Sequence, residues 1–105
     1  MVKALAQVCI GKTNVSLAAV QEVRENKLDN AAPETKCFLN CFVEGLGFMA
    51  DGKRQDNNIR KTLNPIYGRI KIFFTLLKCR NYEGANNCES GFNMYKCFLE
   101  NGALP

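Results

Sequence analysis

Cysteine is the residue type in this 105-residue chain whose number and spacing predict covalent chemistry. The chain contains six cysteines, and an even number at this density is typical of a secreted domain in which disulfides reinforce a small core. Cys37 and Cys41 are one helical turn apart with parallel Cβ directions, so they must bond to different partners. Cys88 and Cys97 leave opposite faces of a predicted helix and also reach separate partners. These two constraints thin the fifteen possible pairings without selecting one.

The chain contains no histidine, and this absence excludes several kinds of chemistry. Without histidine there is no Ser/His/Asp triad, no Cys/His dyad and no His-ligated zinc site. Neither a G-x-G-x-x-G nor a G-K-[ST] phosphate-binding motif occurs. The gaps between the cysteines do not match the paired spacing of zinc ligands. We therefore expect a protein that is not an enzyme and that holds no metal and no cofactor.

The net charge of +4 comes from fourteen basic and ten acidic residues, and the basic residues are scattered along the chain. The adjacent basic pairs are Lys53-Arg54 and Arg60-Lys61. Such a mild excess is typical of solvated surfaces, so we expect no nucleic-acid partner. No apolar run approaches the length of a membrane span, which predicts no stable membrane insertion. The cysteine content indicates an oxidising, extracellular compartment, and the start of the chain lacks the apolar stretch of a signal peptide, so we expect the mature form of a secreted protein.

Apolar residues recur at helical intervals along the chain, and no segment alternates like a strand. We predict six helices. In order, they are a short helix carrying Val2, Leu5 and Cys9 that stops at Gly11, one capped by Thr13, one from Pro33 to about Met49, a short one capped by Asp56, one from Asn64-Pro65 to Cys79, and one capped by Asn87 that continues until Gly102.

The third, fifth and sixth predicted helices are apolar around most of their circumference. In the third helix the polar stripe is Asn40, Glu44 and Gly47; in the fifth helix it is Gly68, Lys71, Thr75 and Lys78, which leaves inward rows of Ile66, Ile70, Phe73 and Leu77 and of Ile72 and Leu76. Such helices need neighbours on several sides, and a chain of this size supplies few of them. An internal cavity satisfies this requirement, and a dense core filled by the seven phenylalanines is the alternative.

The complete cysteine pattern, Cys9-x27-Cys37-x3-Cys41-x37-Cys79-x8-Cys88-x8-Cys97, resembles that of the six-cysteine insect odorant-binding proteins. The resemblance covers nearly the whole chain. The residues around the cysteines resemble a dipteran-type subgroup of general odorant-binding proteins, and they are Lys36-Cys37-Phe38-Leu39-Asn40-Cys41-Phe42-Val43-Glu44, Gly52, Pro65-Ile66 with Gly68, Lys78-Cys79, and Tyr95-Lys96-Cys97 followed by Glu100-Asn101.

This resemblance implies an all-α fold in which residues 1–105 form one domain, with about six helices around an apolar internal cavity. It implies three interlocked disulfides, Cys9–Cys41, Cys37–Cys88 and Cys79–Cys97, and this pairing obeys both constraints above. The ligand-binding positions that it implies are Leu39, Val43, Leu46, Phe48, Phe73, Leu76, Leu77, Met94 and Phe98. Tyr95 lies on an apolar stripe of the last helix, where its phenol is either a donor to the polar group of a ligand or a core tyrosine satisfied within the protein.

The resemblance also implies a function. It implies a secreted carrier that binds small hydrophobic ligands, such as odorants, pheromones or fatty acids, and transports them through aqueous lymph toward membrane odorant receptors. We expect a monomer or a weak homodimer. Two alternatives remain: the same fold scavenging lipids or mediators in a non-olfactory secretion, and a basic disulfide-rich defence protein that acts on membranes.

Overall fold

The computed structural model of the protein describes residues 2–104, without the side chain of Val2, and that range contains six helices. The helices are α1 (Val2–Thr13), α2 (Leu17–Arg24), α3 (Pro33–Gly45), α4 (Asp56–Tyr67), α5 (Arg69–Lys78) and α6 (Asn87–Glu100). A two-residue antiparallel pair, β1 (Met49–Ala50) and β2 (Lys53–Arg54), lies between α3 and α4. The all-α class and the number of helices are therefore as predicted. None of the described helices is long and apolar enough to cross a membrane.

The boundaries of the first two helices differ from the prediction. Helix α1 continues through Gly11 to Thr13, whose hydroxyl donates a hydrogen bond of 2.7 Å to the Cys9 carbonyl. Ser16 caps α2, because its hydroxyl accepts a 3.0 Å hydrogen bond from the Ala19 N–H. A glycine inside a helix costs only about 1 kcal/mol, which tertiary attachment of α1 can outweigh.

The predicted helix from Asn64-Pro65 to Cys79 is wrong at its start. Helix α4 continues through Pro65 to Tyr67, and a break at Gly68 precedes α5. Pro65 has no N–H to donate to the Lys61 carbonyl, so this turn of α4 lacks one backbone hydrogen bond, and the helix ends two residues later. Gly68 has a φ of +90°, a backbone conformation that favours glycine and ends the helix. Asn64 is therefore an interior residue of α4 and not a cap.

Smaller differences affect the other caps. Gln55 is the N-cap residue of α4, so Asp56 is the first residue of that helix. Asn86, not Asn87, caps α6 by accepting a hydrogen bond of 2.9 Å from the Glu89 N–H. Helix α3 ends at Gly45, before the predicted end at Met49, because Met49 enters the β1–β2 hairpin. Each difference moves a boundary without adding or removing a helix.

The three disulfides have the predicted pairing. Cys9–Cys41 joins α1 to α3, and Cys37–Cys88 joins α3 to α6. Cys79–Cys97 joins the carboxyl end of α5 to α6. Helices α3 and α6 thus carry four of the six cysteines, and α4 carries none.

The buried apolar side chains form two clusters on either side of α3 and α6. The frame cluster comprises Cys9, Val15, Val20, Val23, Leu28, Phe38, Leu39 and Phe92, and it fills the space between α1, α2, α3 and α6. The seam cluster comprises Val43, Phe48, Met49, Ile59, Leu63, Ile72, Leu76, Cys79, Met94, Phe98 and Ala103. It connects the α4–α5 pair to α3 and α6.

Helices α3 and α6 cross closely at Gly91. A Cβ atom at that position would lie 2.7 Å from the Asn40 Cα atom, so only glycine permits this approach. Asn40, which the sequence placed on a solvent-facing polar stripe, is consequently buried, and its Oδ1 atom has no hydrogen-bond partner among the described residues. In contrast, the α4–α5 pair packs mainly within itself, and its backbone approaches the other helices at few points.

Candidate ligand-binding site

Five of the predicted ligand-binding residues meet in the seam cluster. They are Val43 from α3, Phe48 from the bend that follows it, Leu76 from α5, and Met94 and Phe98 from α6. Met94 and Phe98 share one face of α6 because they are one helical turn apart. All five side chains are buried. The structure therefore brings together side chains from three separate helices at one apolar site.

The other predicted residues lie at the edge of this site or outside it. Leu46 is half-buried and packs against the seam cluster, while Leu39 is buried in the frame cluster. Tyr95 is half-buried and contacts both clusters, so it lies on the border between them. The Tyr95 phenol is a hydrogen-bond donor at neutral pH, and burial raises its pKa further above the ordinary value.

Phe73 and Leu77 lie on the opposite side of α5, where their side chains are 59% and 47% exposed. The expectation that the row containing these residues faces inward is therefore wrong, and their role in ligand binding stays a prediction. The bond from Cys79 to Cys97 fixes the inner side of α5. Residues three, four and seven positions before Cys79 share that side; they are Leu76, Thr75 and Ile72, and all three are buried.

Thr75 is a second correction on α5, because the sequence placed it in the solvent stripe. Its side chain is buried, and its hydroxyl donates a 2.8 Å hydrogen bond to the Lys71 carbonyl. This bond within the helix satisfies the hydroxyl without water, so threonine can occupy an inward position.

The exposed side chains of α4 and α5 border an open groove of about 510 Å³. Its lining residues are Arg60, Asn64, Arg69, Ile70, Phe73 and Phe74. A second depression shares Arg60, Asn64 and Arg69 and continues along α4. These grooves lie on the outer surface, whereas the seam residues contact one another in the interior. The open groove, which the predicted residue Phe73 lines, is thus on the opposite side of α5 from the five predicted residues of the seam cluster.

Arg54 links the β1–β2 hairpin to α5, which forms one side of the site. The sequence provided no signal for this role. Its guanidinium donates hydrogen bonds to the Leu76 carbonyl at 2.9 Å and to the Cys79 carbonyl at 3.1 Å. The same group pairs with Asp56 at 2.5 Å and 3.2 Å, and it lies 5.3 Å from the centre of the Tyr82 ring. Arg54 therefore attaches the β1–β2 hairpin to the carboxyl end of α5.

The described residues contain no group of three or more histidine, cysteine, aspartate or glutamate side chains placed to hold a metal ion. The seam cluster itself is apolar. Such a surface can bind a ligand by burying its apolar area, with Tyr95 as the adjacent polar group.

Two known proteins have sequences similar to that of this chain. General odorant-binding protein 56a of Drosophila melanogaster is 30% identical over 90 residues, which cover 86% of this chain and 65% of that protein. General odorant-binding protein 69a of the same species is 22% identical over 107 residues, which cover 93% of this chain and 66% of that protein. The chain thus spans about two thirds of the length of these two relatives.

A solved structure agrees with the fold. It is the fatty acid binding protein OBP56a from the oral disk of the blowfly Phormia regina, with a TM-score of 0.84 and 33% sequence identity, covering 96% of this chain and 88% of that one. The predicted resemblance to dipteran general odorant-binding proteins is confirmed by these relatives. Residues 1–101 match the sequence profile of the PBP/GOBP family. The six-helix fold, the three disulfides and this match together show that the chain belongs to the PBP/GOBP family.

Proposed function

We propose that the protein is a carrier that binds a small hydrophobic ligand, such as an odorant, a pheromone or a fatty acid, in the seam between the α4–α5 pair and helices α3 and α6. The observation that carries this proposal is the seam cluster, a continuous apolar body in a member of a binding-protein family. The blowfly protein of similar structure is named as a fatty acid binding protein, which supports a ligand of this class.

A ligand would enter the seam by replacing contacts that its side chains make with one another. Met49 and Met94 suit this role, because methionine has three rotatable bonds and repacks around irregular shapes. The α4–α5 pair can move outward, since Cys79–Cys97 is the one disulfide that attaches it to the rest of the described chain. Burial of apolar ligand surface would contribute about 25 cal/mol per Å².

The proposed contacts follow from the position of each side chain. Val43, Phe48, Leu76, Met94 and Phe98 would surround the apolar part of the ligand. Leu39 and Leu46 would border it from α3 and the residue after it, and Tyr95 would donate a hydrogen bond to its hydroxyl, ester or carboxylate group. Phe73 and Leu77 would contact a ligand only on its way past the outer side of α5.

We further propose that this carrier acts outside the cell, as a monomer or weak homodimer that moves its ligand through aqueous lymph toward a membrane odorant receptor. Three disulfides without a free cysteine among the described residues support an oxidising, extracellular setting. The same binding site would serve a non-olfactory secretion equally well. Carrying a ligand in this way requires no covalent step.

The test is a fluorescence titration with the apolar probe N-phenyl-1-naphthylamine, applied to the variants Val43→Phe and Val20→Phe. Both positions are buried, but Val43 belongs to the seam cluster and Val20 to the frame cluster. Adding the same volume to each core costs about 1–3 kcal/mol of stability. We expect Val43→Phe to weaken probe binding more than tenfold, or about 1.4 kcal/mol, and Val20→Phe to leave it nearly unchanged.

Thermal unfolding of both variants serves as the control, because equal losses of stability remove unfolding as an explanation. Equal weakening by the two substitutions would contradict a site in the seam. Absence of probe binding by the unmodified protein, with native mass spectrometry showing no bound fatty acid after incubation, would contradict the carrier function itself.

A further inference from the structure

The net positive charge of the chain comes from one segment, although basic residues occur along the whole sequence. Residues 57–82, which form most of α4 and all of α5, contain no acidic residue and six basic ones: Arg60, Lys61, Arg69, Lys71, Lys78 and Arg80. The rest of the chain has eight basic and ten acidic residues and is therefore net negative. All six basic side chains of the segment are exposed.

The same segment contains most of the exposed apolar surface. Of the seven large hydrophobic side chains that are exposed among the described residues, five lie here: Ile66, Ile70, Phe73, Phe74 and Leu77. We call the surface formed by these five and the six basic side chains the outer face. The rings of Phe73 and Phe74 pack edge to face, with their centres 5.3 Å apart.

The arrangement around α5 is that of an amphipathic surface turned outward. At 100° per residue, Ile70, Phe73, Phe74 and Leu77 form a stripe opposite the buried Ile72 and Leu76. Arg69 borders this stripe on one side, and Lys71 and Lys78 border it on the other. Helix α5 is therefore apolar on two opposite sides, and the seam cluster needs only one of them.

The basic side chains of the outer face are not neutralised by the rest of the described chain. The ion pairs between residues 2 and 104 are Lys27–Glu25, Lys53–Glu83, Arg54–Asp56 and Lys96–Asp29, and none involves the outer face. Lys71 instead lies 5.1 Å from the centre of the Tyr67 ring. The positive charge of the outer face is thus available to an external partner.

We propose that the outer face docks peripherally on the surface of an anionic lipid bilayer. Phenylalanine, leucine and isoleucine between flanking lysines and arginines are the composition of helices that lie in the interface of such membranes. Each basic side chain near the surface adds attraction to anionic headgroups. The groove that Ile70, Phe73 and Phe74 line is open, so a small ligand in it would leave much of its apolar area in water, whereas an extended lipid surface can contact the whole stripe along α5.

A second copy of the chain fits the outer face less well than a lipid surface. Two outer faces in contact would bring together twelve basic side chains, six from each copy, without an acidic side chain from residues 57–82. Anionic headgroups satisfy both the charge and the apolar stripe. Docking would also place the α4–α5 pair, which covers the seam cluster, against the membrane, where apolar ligands dissolve. The docking proposal does not depend on ligand binding in the seam.

The absence of tryptophan from the chain provides a direct experiment. The variant Phe73→Trp has its single tryptophan on the outer face, and the control Leu17→Trp has it on α2, at a side chain that is 73% exposed. Each variant is mixed with vesicles of phosphatidylcholine alone or with added phosphatidylglycerol. We expect a blue shift of the emission only for Phe73→Trp, only with phosphatidylglycerol, and weakened by high salt.

A matched pair of charge variants tests the basic border. Arg69→Gln/Lys78→Gln removes two charges from the outer face, and Lys3→Gln/Lys12→Gln removes two exposed charges from α1. In vesicle co-sedimentation, we expect the first pair to weaken binding about tenfold or more and the second pair to weaken it no more than about twofold. Circular dichroism of each variant confirms that the helices remain formed.

Several outcomes would overturn the docking proposal. They are absence of co-sedimentation of the unmodified protein, equal blue shifts for the two tryptophan variants, and equal loss of binding for the two charge variants. A dimer in analytical ultracentrifugation that the Arg69→Gln/Lys78→Gln variant strengthens would assign the outer face to a second copy. Release of a trapped dye at binding concentrations would indicate membrane disruption instead of docking. Probe affinity measured without vesicles tests the carrier function separately.

Discussion

The two halves of the molecule are held together by different means. Helices α1, α3 and α6 are joined by Cys9–Cys41 and Cys37–Cys88, and α3 and α6 approach closely at Gly91. The α4–α5 pair is attached through Cys79–Cys97 at the end of α5 and through Arg54. Helices α1, α3 and α6 therefore form a rigid frame, and the α4–α5 pair, which we call the wall, is less constrained. A ligand that needs the seam to open would move the wall and leave the frame unchanged.

The largest expected effect compares a phenylalanine buried in the seam cluster with one exposed on the outer side of α5. Phe98 is fully buried in the seam cluster, and Phe73 is 59% exposed on α5. Phe98→Ala should lower the free energy of unfolding by about 3–5 kcal/mol, because it removes a buried ring and leaves a cavity. Phe73→Ala should lower it by less than about 1 kcal/mol, since the ring is largely in water. Urea denaturation measures both.

Equal destabilisation by these two substitutions would contradict the orientation of α5. Far-ultraviolet circular dichroism before denaturation is the control that both variants fold. Vesicle binding should show the reverse order, because Phe73→Ala removes a side chain of the outer face and Phe98→Ala does not.

The second comparison removes one disulfide from each half. Cys37→Ser/Cys88→Ser removes a disulfide of sequence separation 51, and by loop entropy it should lower the free energy of unfolding by about 4 kcal/mol. Cys79→Ser/Cys97→Ser removes one of separation 18 and should lower it by about 3 kcal/mol. The location of the effect should differ more than its size. Hydrogen exchange should quicken mainly in α5 for the second variant and throughout the frame for the first.

Uniformly faster exchange in both disulfide variants would show that the frame and the wall unfold as one unit. The unmodified protein, oxidised and unlabelled at its cysteines, is the reference. Protection of α5 that is unchanged in Cys79→Ser/Cys97→Ser would assign its attachment to side-chain packing alone.

The third prediction concerns the non-covalent attachment of the wall. The Arg54 side chain is 11% exposed and donates to two carbonyls at the end of α5. Arg54→Met should lower the free energy of unfolding by about 2 kcal/mol, because it leaves the two carbonyls and Asp56 without their charged partner. The neighbouring Lys53 pairs with Glu83 at the surface, so Lys53→Met should have no measurable effect on the melting temperature. Equal melting temperatures for the two variants would contradict the role of Arg54.

The frame could be predicted more completely than the wall. Cysteine spacing and helical periodicity indicated the helices, and the family resemblance supplied the pairing. On α5 the row of Ile72 and Leu76 was predicted to face inward, but the row containing Phe73 was placed inward as well, because an apolar row at helical spacing does not reveal whether it faces a core or the outer surface. Counting back from Cys79 would have selected Ile72, Thr75 and Leu76 as the inner residues. Burial of Asn40 depends on the absence of a side chain at Gly91, a contact between distant positions that no local pattern contains.

The smallest effect that we predict is that of pH on binding of a neutral ligand between about pH 7.5 and 5.5. The chain has no histidine, the residue whose ordinary pKa lies in this range. The pKa values that the fold shifts move further from this pH range. A hydrogen bond from Gln21 lowers the pKa of Glu25, a hydrogen bond to Glu83 raises the pKa of Lys53, and burial raises the pKa of Tyr95.

The consequences for folding lie outside the same range. A lowered carboxyl pKa stabilises the folded state at neutral pH, and this contribution is lost only as the pH falls below the ordinary value of 4.5. The raised pKa values of Lys53 and Tyr95 favour the protonated forms of both groups, so the folded state loses stability through them only as the pH rises beyond their ordinary values of 10.5 and 10.0. Neither the frame nor the wall therefore has a shifted group that titrates between about pH 7.5 and 5.5.

Displacement of N-phenyl-1-naphthylamine by dodecanol, which carries no charge of its own, should give the same affinity within about twofold at both pH values. A change of more than tenfold, or about 1.4 kcal/mol, would show that acid moves the wall through a carboxyl group, and Glu44, Asp51 and Asp56 would be the first to substitute.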